Sequence, residues 1–235
     1  MKKIVPDERL RAAAAFVRQG AVFADIGTDH AYLPVFLCKE GRVSRAYACD
    51  IVEGPLAAAT AHIAENGLEG SITPVLTDGL TGLDNLGITD IAICGMGGEL
   101  IVDILSHAPF VKDPRVRLIL QPMTRVREVR AYLAREGFAI LDECVRRVAD
   151  KLYFCFVSEY TGVPYTLSRL EEELGAINMR REPPEEEFLA LLAHKLAAAE
   201  RRVEGLLKGK RDATEEQVFL DALRALTQTY KGKRI

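Results

Sequence analysis

From Ala21 to Gly137 the sequence changes period repeatedly. A short apolar run of strand length meets a turn, and a longer stretch with helical spacing follows. AVFADIG leads into AYLPVFLCKEG, RAYACDI into GPLAAATAHIAENG, DIAICGM into GGELIVDILSHA, and RLILQPM into TRVREVRAYLAREG, while ITPVLTDG supplies a further strand. Parallel strands need long crossovers, so this alternation predicts an α/β fold with a mostly parallel sheet and helices on both faces. Short apolar runs such as AVFADIG suit strands buried on both sides. Asp7 predicts the cap of an opening helix that runs through RLRAAAAFVRQ and stops at Gly20. FAILDECVRRVADKLYFCFVSEY closes the series as two long strands that turn near Asp150.

From about Thr166 the character changes. TLSRLEEELGAINM, EEEFLALLAHKLAAAERRVEGLL and TEEQVFLDALRALTQTY all read as helices, separated by Pro183-Pro184 and by GKGKRDA. The last two predict an antiparallel hairpin, because their connection is short and the first of them keeps one apolar stripe through Phe188, Leu191, Leu192, Leu196, Ala199 and Val203. The expected organisation is therefore an α/β domain over 1–162 and a small helical, coiled-coil-like domain over 163–235. A chain that is 49% hydrophobic and 28% charged has the composition of an ordinary soluble globular protein. A net charge of -3 excludes general attraction to nucleic acid but leaves room for local basic patches. No apolar run approaches the roughly 18–20 residues needed to span a bilayer. Charges from Asp7 to Arg18 interrupt the start, which argues against a signal peptide. The five cysteines (Cys38, Cys49, Cys94, Cys144 and Cys155) are odd in number and lack the spacing of a zinc or redox pair. The expectation is a reduced, cytoplasmic protein without a metal and without a membrane association.

In open parallel sheets, ligands bind beyond the carboxyl ends of the strands, near the point where the strand order reverses. Those ends read Asp25-Ile-Gly-Thr-Asp-His30, Cys49-Asp50, Thr77-Asp78-Gly79, Cys94-Gly-Met-Gly-Gly98 and Gln121-Pro-Met123. Gly27 permits a tight turn and the close approach of a ligand. Asp50 is placed to accept hydrogen bonds from both hydroxyls of a ribose, and Asp78 from an adenine amino group. A pyrophosphate needs bare backbone at the helix start, yet Gly27 is followed by Thr28, Asp29 and His30 rather than by glycines. The ammonium of S-adenosylmethionine (SAM) instead prefers an acid, and Asp25 and Asp29 supply two. The combination favours SAM over NAD. Its expected contacts are Asp25, Gly27, Thr28, Asp50, Ile51, Asp78, Gly79, Gly95, Met96 and Gly97. The closing hairpin agrees, because a Rossmann-like methyltransferase sheet inserts an antiparallel last strand beside the fifth.

Three strings together (ADIGTDHAYLP from Ala24, ICGMGG from Ile93 and LQPM from Leu120) make the sequence similar to the bacterial tRNA adenine-22 N1-methyltransferase family, over about the first 160 residues. The resemblance implies a Rossmann-like class I SAM-dependent fold, with a seven-stranded, mostly parallel sheet whose last strand is antiparallel. It also implies methyl transfer to N1 of adenosine 22 in the D-loop region of tRNA. Thr28 stands where the family usually has serine, which keeps the hydroxyl. Many enzymes that methylate exocyclic amines carry an Asn/Asp-Pro-Pro-Tyr/Phe motif after the fourth strand. This chain has Gly95-Met-Gly-Gly98 there, consistent with a ring nitrogen that brings its own lone pair.

On this reading the adenine becomes cationic in the transition state and a facing carboxylate stabilises it. Asp29 is the first candidate for that role and His30 the second, although Asp29 could instead bind the SAM ammonium. Tyr32 is a candidate to stack on the adenine or hydrogen-bond it, and Gln121 to read its edge. Candidate phosphate contacts are Arg125, Arg127 and Arg130 after the fifth strand, and Lys195, Arg201, Arg202, Lys208, Lys210 and Arg211 on the helical hairpin. The tail also carries many glutamates, so a tRNA clamp, a dimer contact and a brace all remain open. A monomer or weak homodimer is expected. The alternatives are a SAM-dependent methyltransferase of another RNA or small molecule, and a non-catalytic nucleoside-binding scaffold.

Overall fold

The computed structural model describes residues 6–232. The chain divides into two compact units, the first ending at Thr166 and the second beginning at Leu167.

The first unit runs α1 (Glu8–Phe16), β1 (Ala21–Ile26), α2 (Tyr32–Lys39), β2 (Val43–Asp50), α3 (Glu53–Glu65), β3 (Ile72–Leu76), β4 (Asp90–Gly97), α4 (Gly98–Ser106), β5 (Arg117–Thr124), α5 (Val126–Glu136), β6 (Phe138–Val148) and β7 (Lys151–Tyr160). The strands form one seven-stranded sheet in the order β3-β2-β1-β4-β5-β7-β6. Pairings from β3 to β5 are parallel, and β7 lies antiparallel between β5 and β6. The expected sheet is thus present. From β1 the chain winds outward through β2 and β3, then crosses back to place β4 on the other side of β1. The order therefore reverses between β1 and β4, and their carboxyl ends open a crevice there. Phe23, Ala24, Ile91, Ala92, Ile93, Leu118, Ile119 and Leu120 are all buried, which accounts for the unbroken apolar runs.

The first helix is shorter than the sequence predicts. Asp7 caps it as expected, accepting from the Arg9 and Leu10 N–H groups, but it ends at Phe16 and Val17 is extended. The cause lies across the sheet. Asp90, wholly buried at the start of β4, accepts from the Arg18 backbone N–H at 2.9 Å, and from Arg18 Nε and Nη2 at 3.0 and 2.9 Å. A buried carboxylate needs such partners, and the backbone N–H it claims is one that a continued helix would have used. After β7, Tyr165 stays with the first unit: its N–H donates to Ala134 O at 3.0 Å and its hydroxyl to Phe138 O at 3.1 Å.

The second unit contains α6 (Arg169–Leu174), α7 (Ala176–Arg180), α8 (Glu186–Lys208) and α9 (Thr214–Gly232). The stretch expected as one helix is two, because Gly175 between them takes φ 88° and ψ 128°. α8 and α9 form the expected hairpin. Phe188, Leu191, Leu192, Ala199 and Val203 of α8 are buried, with Phe219, Leu220, Leu223 and Tyr230 of α9.

Candidate active site

The loop from β1 to α2 is built from unusual backbone. Gly27 takes φ 72°, and Asp29 and Ala31 take φ 49° and 54° although both carry a Cβ. The Gly27 and Thr28 N–H groups both donate to Cys49 O at 2.9 Å, which fixes this turn to the end of β2. A Cβ on Gly27 would lie 2.2 Å from Met96 Cε, so the bare glycine lets the Met96 side chain lie against the turn. Thr28 donates its hydroxyl to Asp25 Oδ2 at 2.7 Å. Asp25 itself is buried at the end of β1. Burial pushes its carboxyl up to about 7, and the nearby Asp50 charge adds to this, against the opposing bond from Thr28.

Asp25 forms part of a cavity of about 490 Å³ that also meets Asp7, Arg9, Asp29, Tyr32 and Gly95. The cavity occupies the crevice between β1 and β4. Of the expected cofactor and catalytic residues, Asp25, Gly27, Thr28, Asp29, Tyr32 and Gly95 border it. His30 stands beside Asp29, with Nε2 3.5 Å from Oδ1, and stacks on Tyr32 with ring centroids 5.2 Å apart. Asp50 ends β2 and accepts from Val52 N–H at 2.9 Å, while Ile51 is exposed. Asp78 and Gly79 turn after β3. Asp50, Ile51, Asp78 and Gly79 follow the same carboxyl edge, outside the walls of the cavity.

The Gly95-Met-Gly-Gly98 string divides in function. Gly95 takes φ 80° where β4 bulges against β5. A Cβ on Gly98 would sit 2.5 Å from Arg125 O and 2.8 Å from Thr124 O, so this glycine serves the close packing of two turns.

Gln121 requires a correction. It is fully buried, and its Oε1 accepts from Gly95 N–H at 3.1 Å and from Arg9 Nη1 at 3.2 Å. Its Nε2 donates to Pro122 O at 3.2 Å. With both ends of its amide engaged, Gln121 supports the Gly95 turn and Arg9 from beneath and has no edge to offer a base. Arg9 was not among the expected site residues. Its guanidinium is bound to Asp7 through Nε at 3.1 Å and Nη2 at 2.7 Å, and lies 5.2 Å over the Tyr153 ring. Burial raises the Asp7 carboxyl, but the bonds from Arg9 and the helix N–H groups outweigh this and hold it below the usual range. The sequence signal is an acid and an arginine two residues apart at a helix start, where Asp7 by itself indicates only a cap.

Arg130 is the second correction. It is wholly buried in α5, bonded to Glu143 Oε2 at 2.7 Å, and its guanidinium lies 4.4 Å from the Phe154 ring centroid. It cannot meet a phosphate. Arg125 is half exposed and contacts Glu99 and Glu128 at 3.5 and 3.2 Å. In the second unit, Lys195 pairs with Glu173, Arg202 with Glu216 and Lys208 with Glu204. Arg201, Lys210 and Arg211 are exposed, the last two in the turn between α8 and α9.

The residues present suit SAM. The cavity is lined by the buried Asp25 carboxyl and by the Asp7–Arg9 pair, groups suited to the ammonium and carboxylate of an amino-acid end, and Thr28, Asp29 and His30 stand where a pyrophosphate site has glycines. Together with the antiparallel strand between β5 and β6, these features define a class I SAM-dependent methyltransferase. Residues 7–156 match the family model described as a methyltransferase domain. The Bacillus subtilis tRNA (adenine(22)-N(1))-methyltransferase is 35% identical over 159 residues, which cover 68% of this chain and 67% of that protein. The solved structure of the Bacillus subtilis m1A22 tRNA methyltransferase matches with a TM-score of 0.78 at 28% identity, over 98% of this chain and 99% of that one. A candidate tRNA (m1A22) methyltransferase from Streptococcus pneumoniae, solved with SAM, matches with a TM-score of 0.80 at 32% identity, over 96% and 100%. The chain belongs to the tRNA (adenine-22-N1)-methyltransferase family.

Proposed function

We propose that this protein transfers a methyl group from SAM to N1 of adenosine 22 in tRNA. The observation that carries the reading is the acid-lined crevice between β1 and β4 in a chain that matches the m1A22 enzymes through both of its units. Asp25 would hold the ammonium of the cofactor, Arg9 its carboxylate and Asp50 its ribose; Asp78 would meet the adenine. When bound, SAM supplies an electrophilic methyl group, so the protein's task is position and exclusion of water.

Asp29 sits on the rim of the cavity, and we assign it to the target adenine. Its carboxylate would offset the positive charge that grows on the base and later accept the N6 proton, with His30 beside it as the second candidate. Tyr32, already stacked on His30, offers an aromatic face to a base that has left its helix. Asp29→Ala should slow single-turnover methyl transfer by about a hundredfold at saturating SAM and tRNA. An unchanged rate in that assay removes Asp29 from the chemistry.

For tRNA, we infer phosphate contacts from Arg125 and Arg127 in the first unit, and from Arg201, Lys208, Lys210 and Arg211 in the second. The exposed cations around the α8–α9 turn support this, since backbone contact needs charge rather than shape. Among the described residues no helix is long and apolar enough to cross a membrane. A tRNA substrate places the work in the cytoplasm, and the chain is proposed to act as a monomer or weak homodimer.

A further inference from the structure

The turn that carries Asp29 is strained. Asp29 and Ala31, on either side of His30, both adopt left-handed backbone, which side chains with a Cβ rarely do. Such conformations persist where the surroundings over-determine them. One restraint is local, from Ala31 N–H to Thr28 O at 2.9 Å. Another comes from a different helix. His62 of α3 places Nδ1 2.7 Å from His30 O, and since a carbonyl oxygen only accepts, Nδ1 carries the proton. The His62 ring also meets Tyr32 edge-on, with centroids 5.2 Å apart and planes at 72°. One side chain thus holds the backbone between the two left-handed residues and the ring that follows them. It stands on the helix that begins just after Asp50 and Ile51.

We propose that His62 is a positioning residue, whose Nδ1–H bond to the His30 carbonyl keeps the Asp29–Ala31 turn in the geometry that aims Asp29 at the target adenine. The aiming rests on the methyl-transfer reading; the hold on the turn does not. Two variants separate the bond from the bulk. His62→Phe keeps a ring against Tyr32 and loses the donor, whereas His62→Asn keeps a donor close to the Nδ1 position.

Three readouts are compared: hydrogen exchange at the Ala31 amide, SAM affinity, and single-turnover methylation of tRNA. His62→Phe should speed Ala31 exchange and slow methyl transfer, each by about tenfold or more, while SAM affinity changes by less than about threefold. His62→Asn should return the first two to within about threefold of wild type. A Phe variant that methylates at the wild-type rate overturns the proposal, and so does an Asn variant as slow as Phe. A Phe variant that fails to fold, or loosens every amide alike, makes His62 a general structural residue and also overturns it. If the wild-type protein methylates no tRNA, the functional reading falls, and the exchange comparison still decides whether His62 holds the turn.

Discussion

Replacing Asp25 with asparagine should make the empty protein more stable and a worse binder of SAM. Burial raises this carboxyl from 3.8 to about 7, so the fold favours its neutral form. The stability this group contributes is fully present below its unfolded value, falls as pH rises through the folded value, and is gone above it. That rise corresponds to a ceiling of about 4 kcal/mol. Asparagine mimics the neutral form and does not titrate. Its advantage over wild type should therefore grow by up to about 4 kcal/mol between about pH 4 and about pH 8. Urea unfolding at both pH values reads that difference, and any pH-independent steric effect of the substitution cancels. SAM affinity should fall by about thirtyfold or more, as when one partner of a buried charge pair is truncated. In the wild type, binding an ammonium at Asp25 should release close to one proton at about pH 6, measurable by calorimetry in buffers of different ionisation heat. Parallel stability profiles for the two proteins would show that Asp25 does not carry the raised value, and equal SAM affinity that it does not meet the ammonium.

The buried Arg130–Glu143 pair gives a second test. Glu143→Ala should destabilise the fold by about 3–5 kcal/mol, because it removes the carboxylate that a buried guanidinium is bonded to. Arg130→Met combined with Glu143→Leu should recover most of that loss and bind tRNA as wild type does; weakened tRNA binding by a stable double variant would return Arg130 to the interface. Neutralising Lys208, Lys210 and Arg211 together should weaken tRNA binding and flatten its dependence on log salt by up to about three, near one per lost phosphate contact. An unchanged slope would exclude the α8–α9 turn as an RNA contact.

The architecture was legible because it rests on local signals. Period changes between AVFADIG and AYLPVFLCKEG, or DIAICGM and GGELIVDILSHA, mark each β/α unit wherever the strands finally pair. Most of the misreadings come from contacts between residues distant in sequence. Nothing near Gln19 ends α1; Asp90 does, by taking the Arg18 N–H from across the sheet. Arg130 looks like one more solvated helix charge until β6 brings Glu143 to it. Arg9 joins the cavity from the helix before the first strand, outside every strand-end motif, and Gln121 is withdrawn from the expected pocket by bonds to Arg9 and Gly95. Asp25, Gly27, Thr28 and Asp29 were readable because a turn between one strand and its helix fixes them within a few residues. Gly175 shows the limit of pattern reading, since a helical period ran through a residue whose backbone breaks it.

The central claim is the identity of the methylated atom. Purified protein should be incubated with labelled SAM and unmodified tRNA, alongside the same tRNA carrying guanosine at position 22, and the products digested to nucleosides. The account predicts N1-methyladenosine from the first tRNA and no label in the second. Label in another nucleoside, equal label in both tRNAs, or no transfer by a protein that binds SAM would contradict it.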